Sequence, residues 1–74
     1  MFTVYSKQNC PKCVELKTFL STHNFPFEVI DLEQHPAARE TLVSSGFRTV
    51  PQVFEGEIHI GDCDSTINML KFVL

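Results

Sequence analysis

MFTVYSKQNCPKCVEL, residues 1–16, sets a run of β-branched and aromatic residues directly before two cysteines three apart, Cys10 and Cys13. MFTVYS (1–6) reads as a buried strand. The next segment reads as a helix. Cys13, Leu16 and Leu20 recur at i, i+3 and i+7, and Phe19 fills the same apolar stripe. Pro11 suits the first helical position, where a missing N–H costs nothing. The helix is expected from Pro11 to His23, with Asn24 as its stop and Pro26 unable to continue it.

The same kind of reading extends to the rest of the chain. FPFEVIDL (25–32) alternates Phe25, Phe27 and Val29 against Ile30 and Leu32, and is expected to be a strand buried on both sides. HPAARETLVSSG (35–46) has Pro36 inside its start and Gly46 past its end, the asymmetry of a helix. PQVFEGEIHI (51–60) reads as two short strands turning around Glu55-Gly56. DCDSTINMLKFVL (62–74) offers Asp and Ser caps, then Ile67, Leu70 and Leu74 at helical spacing. The order is βαβαββα: an α/β fold with a four-stranded mixed sheet and three helices on its two faces. The first strand–helix–strand unit favours a parallel pair, and the final hairpin adds antiparallel strands. The seven phenylalanines, Phe72 included, are expected in the core or at its edge, and Tyr5 in strand packing. DLEQHPAARE reads as a solvated helix start rather than a recognition site.

Bulk properties narrow the function. The chain has 74 residues and a formal net charge of −3, so it is expected to be one domain over 1–74 with no basic face for nucleic acid. No apolar run approaches the roughly 20 residues that cross a bilayer. The start lacks the charged-then-apolar pattern of a secretory signal, and the expected compartment is the cytoplasm. There are three cysteines, an odd number, whereas small secreted scaffolds carry even sets. In a reducing compartment a Cys-x-x-Cys pair reads as catalytic or metal-binding rather than as a staple.

The placement of the pair supplies the chemistry. Cys10 at the cap of the helix faces the unpaired N–H groups of Lys12 and Cys13 and the positive end of the helix dipole. A thiolate is stabilised there, and Lys12 and Lys7 add positive charge. Cys13 lies one turn in, on the apolar face. An exposed thiolate that attacks beside a thiol that resolves is what disulfide exchange needs. Cys10 is thus the expected nucleophile and Cys13 the resolving cysteine. A four-ligand zinc site would show a second pair at matching spacing, but only Cys63, His23, His35 and His59 remain. The histidines read as surface or strand residues, and no metal ligand is assigned.

CPKC after MFTVYSK, then RTVPQVF, then HIGDCDS, together resemble the glutaredoxins of the thioredoxin superfamily, over nearly the whole chain and in the same order. The resemblance implies a thioredoxin fold and a single glutaredoxin-like domain. It implies a cis peptide bond before Pro51. It implies that Val50 offers its backbone to an extended thiol peptide, flanked by Thr49. Lys7 matches the family lysine that pairs with the glycyl carboxylate of glutathione, with Lys12 beside it and Arg48 and Gln52 as weaker candidates. Gly61, Cys63 and Asp64 match the family's binding turn for the γ-glutamyl end, at a helix start suited to carboxylates. Asp62 departs from the pattern: it replaces the second glycine and puts a negative charge where a carboxylate approaches. Cys63 reads as a backbone contributor with an incidental thiol.

The function the resemblance implies is reduction of protein disulfides and glutathione mixed disulfides. Glutathione is the co-substrate, no cofactor is tightly bound, and glutathione reductase closes the cycle. The expected state is a monomer, and ribonucleotide reductase is a plausible client. SSGFRTVPQV also resembles the redoxins that thioredoxin reductase reduces and that serve ribonucleotide reductase. A different class, a carrier of an iron–sulfur cluster or zinc through Cys10, stays open as an alternative.

Overall fold

The computed structural model describes residues 1–74. Its elements run β1 (Phe2–Ser6), α1 (Pro11–Thr22), β2 (Phe27–Asp31), α2 (Pro36–Ser44), β3 (Gln52–Glu55), β4 (Ile58–Gly61) and α3 (Cys63–Lys71). The sheet order is β2-β1-β3-β4. β1 pairs parallel with β2, Val4 opposite Val29, and antiparallel with β3, Val4 opposite Val53. The MFTVYS run therefore takes an inner position in the sheet, as expected of a buried strand, with Val4 fully buried.

The main core joins β1, β3, α1 and α3. Val4 of β1 and Val53 of β3 meet Leu16 and Leu20 of α1 and Cys63, Ile67 and Leu70 of α3. The i, i+3, i+7 stripe of α1 is the reason: Cys13, Leu16 and Leu20 are its buried residues. Leu42 is the one buried residue of α2, so that helix is held by far less apolar surface.

The helix ends follow local chemistry. Asn24 adopts φ +60°, and Phe25 N–H closes α1 onto the Leu20 carbonyl at 2.9 Å. Gly46, at φ +94°, follows the Ser45 cap of α2.

Some expectations are corrected. Residues 25–32 are not buried on both sides: the strand is Phe27–Asp31, it lies at the sheet edge, and Val29 is 42% exposed. An edge strand has a neighbour on one side only, and nothing covers its outer face fully. Leu74 does not extend the stripe of α3, because the helix stops at Lys71 and Leu74 is 61% exposed. Phe72 is not a core aromatic; it caps that last turn with its side chain in solvent. The hairpin tip falls at Gly56-Glu57, one residue later than expected, with Gly56 at φ +61°.

Candidate active site

Cys10 is the N-cap of α1. Its backbone is extended (φ −116°, ψ 100°) and its Sγ accepts the Cys13 N–H at 3.2 Å. Pro11 occupies the first helical position, and the Val14 N–H makes the first helical bond to the Cys10 carbonyl, 3.1 Å. Asn9, at φ +57°, turns the chain into this cap, a conformation that asparagine tolerates. Gln8 N–H donates to Glu33 at 3.2 Å and ties the incoming loop to the segment after β2.

Cys10 and Cys13 form a disulfide, with Cα atoms 5.2 Å apart. Cys10 is not the exposed thiol expected: it is 8% exposed against 0% for Cys13, because the helix cap and the Val50 turn cover it, and only the order of burial is as expected. Cys10 lines the rim of a cavity, while Cys13 is fully enclosed beneath it. Val50 completes the immediate surroundings: its carbonyl oxygen lies 3.9 Å from Cys10 Sγ, across a cis Val50–Pro51 bond. This is the turn the resemblance implied. Thr49 lies beside it, and its carbonyl and hydroxyl oxygens accept from Gln52 Nε2 at 3.1 and 3.2 Å.

The cavity measures about 620 Å³ and has α2 as one wall. Leu32, Leu42, Val43 and Phe47 supply apolar wall, and Lys7, Arg39 and Arg48 supply positive charge, with Glu33 as the one acidic group. Lys7, Thr49 and Val50 are thus gathered with Cys10 in one place. Arg39 was missed by the sequence reading. Glu33 and Arg39 lie in the stretch expected to be only a solvated helix start, and both border the cavity. No spacing signal marks them, because the link to Cys10 is made by the α2 packing and not by the local chain.

Gly61, Cys63 and Asp64 lie apart from that cavity, where β4 turns into α3, and Lys12 of α1 lies outside it too. Asp62 caps this helix, accepting the Ser65 N–H at 2.9 Å. That bond, first, holds the Asp62 carboxyl below its ordinary range. Lys12 reaches from the first turn of α1 to Asp64 at 3.1 Å and Glu15 at 3.6 Å. The hydrogen bond to Asp64, then the charges of Asp64 and Glu15, push the Lys12 ammonium above its usual value. Lys12 therefore spends its charge on carboxylates. Cys63 is 2% exposed and belongs to the core. Burial, with Glu15 and Asp64 nearby, pushes its thiol up to about 11, so it stays protonated near neutrality. Glu15, Cys63 and Asp64 could crowd a cation, but the Lys12 ammonium already sits against both carboxylates.

A four-stranded mixed sheet carrying a Cys-x-x-Cys cap beside a cis-proline turn defines a thioredoxin-fold dithiol protein. Similarity to known proteins carries this to a family: the Glutaredoxin sequence profile matches residues 2–60, and the chain belongs to the glutaredoxin family of thiol–disulfide oxidoreductases. Glutaredoxin 3 of Escherichia coli K12 is 39% identical over 62 residues, spanning 82% of this chain and 75% of its own length. The NrdH-redoxin of Escherichia coli, a glutaredoxin-like protein with a thioredoxin-like activity profile, superposes with a TM-score of 0.82 at 31% identity, over 93% of this chain and 92% of its own. Buckwheat glutaredoxin in complex with glutathione superposes with a TM-score of 0.80 at 32% identity, over 97% of this chain and 69% of its own. No helix is long and apolar enough to cross a membrane.

Proposed function

We propose that this chain reduces protein disulfides and glutathione mixed disulfides through Cys10, with Cys13 resolving, and is itself reduced by glutathione in the cytoplasm. One observation carries the reading: Cys10 Sγ caps α1 at the cavity rim beside the Val50 carbonyl, with Cys13 enclosed behind it.

In the reduced protein the helix start and the Cys13 N–H stabilise a Cys10 thiolate. An extended substrate lies along Val50. The thiolate attacks one substrate sulfur, a Cys10–substrate disulfide forms, and the second substrate sulfur leaves and takes up a proton. Cys13 then gives up its proton and attacks Cys10 Sγ. The substrate's remaining sulfur leaves as a thiol, and the Cys10–Cys13 disulfide is left. Two electrons have passed from protein to substrate. Two glutathione molecules, oxidised to their disulfide, restore the dithiol. Lys7, Arg39 and Arg48 support this donor, since they place positive charge beside Cys10 where a peptide carboxylate would lie.

A second reading has its own observation. Asp62 is held ionised and Asp64 is engaged by Lys12, at the helix start where the γ-glutamyl end of glutathione would bind. This favours reduction by thioredoxin reductase with ribonucleotide reductase as client. NADPH consumption with a disulfide substrate separates the two. Turnover with glutathione plus glutathione reductase supports the first reading. Turnover with thioredoxin reductase alone replaces it with the second.

A further inference from the structure

We propose that His59, acting through Gln52, is a positioning residue that clamps the loop carrying Val50 against Cys10. The inference deepens the proposed function and rests on Val50 as the substrate-facing edge.

Gln52 is the first residue of β3 and is only 6% exposed, so its amide needs partners within the protein. It has them on both sides. Nε2 donates to the Thr49 carbonyl at 3.1 Å and hydroxyl at 3.2 Å, and Oε1 meets His59 Nε2 at 2.8 Å. The orientation is forced. A flipped amide would set its oxygen against the Thr49 carbonyl, two acceptors facing each other. Oε1 must therefore face His59, and His59 must carry a proton on Nε2 to donate. The neutral Nε2–H tautomer and the imidazolium both satisfy this.

The sheet puts His59 in place. Gln52 and Phe54 share a face of β3, and the register sets His59 opposite Phe54. A shift between Val53 and Phe54 skips Ile60 on β4. The imidazole packs 5.1 Å from the Phe54 ring and 4.4 Å from the ring of Phe47. Phe47 lies early in the loop of residues 45–51, and Gln52 directly follows it. His59 thus holds both ends, and the Gln52 amide holds the middle at Thr49, one residue before Val50. None of these groups touches the reacting sulfurs. Their effect passes through the position of the Val50 carbonyl, 3.9 Å from Cys10 Sγ.

The test separates the hydrogen bond from the ring. His59→Phe keeps an aromatic ring against Phe47 and removes the donor. His59→Gln keeps a donor near the Nε2 position and removes the ring. Steady-state reduction of insulin disulfides, with dithiothreitol as reductant, needs neither glutathione nor thioredoxin reductase. The expected result is a KM raised about three- to tenfold in His59→Phe, the range of one lost hydrogen bond, with kcat little changed. His59→Gln should stay within about twofold of the parent, and in a double-mutant cycle His59→Phe should cost much less in a Gln52→Leu background than in the parent. Alkylation of Cys10 by iodoacetamide, which needs no loop contact, should proceed at the parental rate throughout. Equal defects in His59→Phe and His59→Gln, a parental KM in His59→Phe, or additive effects in the double variant would overturn the clamp. A second readout does not depend on turnover. In the parent, NMR should show the His59 Nε2 proton slow to exchange and close to the Gln52 side chain. Its absence in the parent overturns the clamp, whereas an inert parent with the NMR signature intact would overturn the proposed function alone.

Discussion

A Cβ at position 61 would lie 2.8 Å from Ser65 Cβ, and Gly61 sits at φ +148°. The chain enters α3 through a turn that excludes side chains, and Asp62 then caps the helix. Asp62→Asn tests what the departing residue does. It keeps an oxygen for the Ser65 N–H and removes the charge. Thermal stability should change little, because asparagine caps as well as aspartate. The KM for glutathione should fall if the charge repels the γ-glutamyl carboxylate, and an unchanged KM would refute that repulsion. Asp62→Ala removes the cap as well and should cost about 1 kcal/mol in denaturant unfolding. Since the folded carboxyl titrates low, the cap's contribution is present above the ordinary carboxylate pKa and fades as pH falls through the folded value. Cys63 has the opposite sign. Its thiol keeps its proton up to about 11 when folded, while the unfolded chain releases it near 9. Stability should therefore fall as pH rises from about 9 to 11, and Cys63→Ala should flatten that part of the curve. Cys63→Ser should retain most turnover, since a buried neutral thiol is no nucleophile. At this scale the sequence is most readable where chemistry is local. The Cys10 cap, Pro11 and Cys13 lie in four consecutive residues, so helix geometry alone places Cys10 at the helix start and Cys13 one turn in. Arg39 and His59 do not, because their partners are brought to them by other elements.

Elements were legible where one face is buried and ends are marked. The stripe of α1, with Pro11 at one end and Asn24 at the other, gave that helix nearly to the residue. Leu16 shows what the stripe holds: it is fully buried between β1, β3 and α3. Leu16→Ala should destabilise by about 2–5 kcal/mol, read from denaturant unfolding. That is a large share of the roughly 5–15 kcal/mol available to any small domain. β2 was misjudged because an apolar run reads the same at a sheet centre and at its edge. The pairing with β1 alone, set by topology, exposes Val29. Leu74 fits the period of α3, but the helix stops at Lys71 and Leu74 is left in solvent. The β3–β4 clamp was invisible for another reason. A register shift decides which face His59 shares, and periodicity presumes an unbroken register.

On the scale of the whole molecule, charge is divided across the dithiol. Lys7, Arg39 and Arg48 border the cavity on the α2 side, while Glu15, Asp62 and Asp64 cluster where α1 and α3 start, with Lys12 among them. The net charge of −3 conceals this division, which only the fold creates. This division predicts that an anionic substrate group binds on the cavity side of Cys10. Arg39→Ala and Arg48→Ala together should raise KM for glutathione mixed disulfides and weaken its dependence on salt, measured between low and physiological ionic strength. A parental KM and salt response would remove the cavity from substrate binding. The central claim concerns the two sulfurs themselves, and one measurement addresses it directly. Cys13→Ser, reduced and then exposed to glutathione disulfide, should trap a single glutathionyl group, located on Cys10 by peptide mass spectrometry. The trapped protein should release it on addition of free thiol. An adduct on Cys63, or none on Cys10, would contradict the assignment of Cys10 as nucleophile.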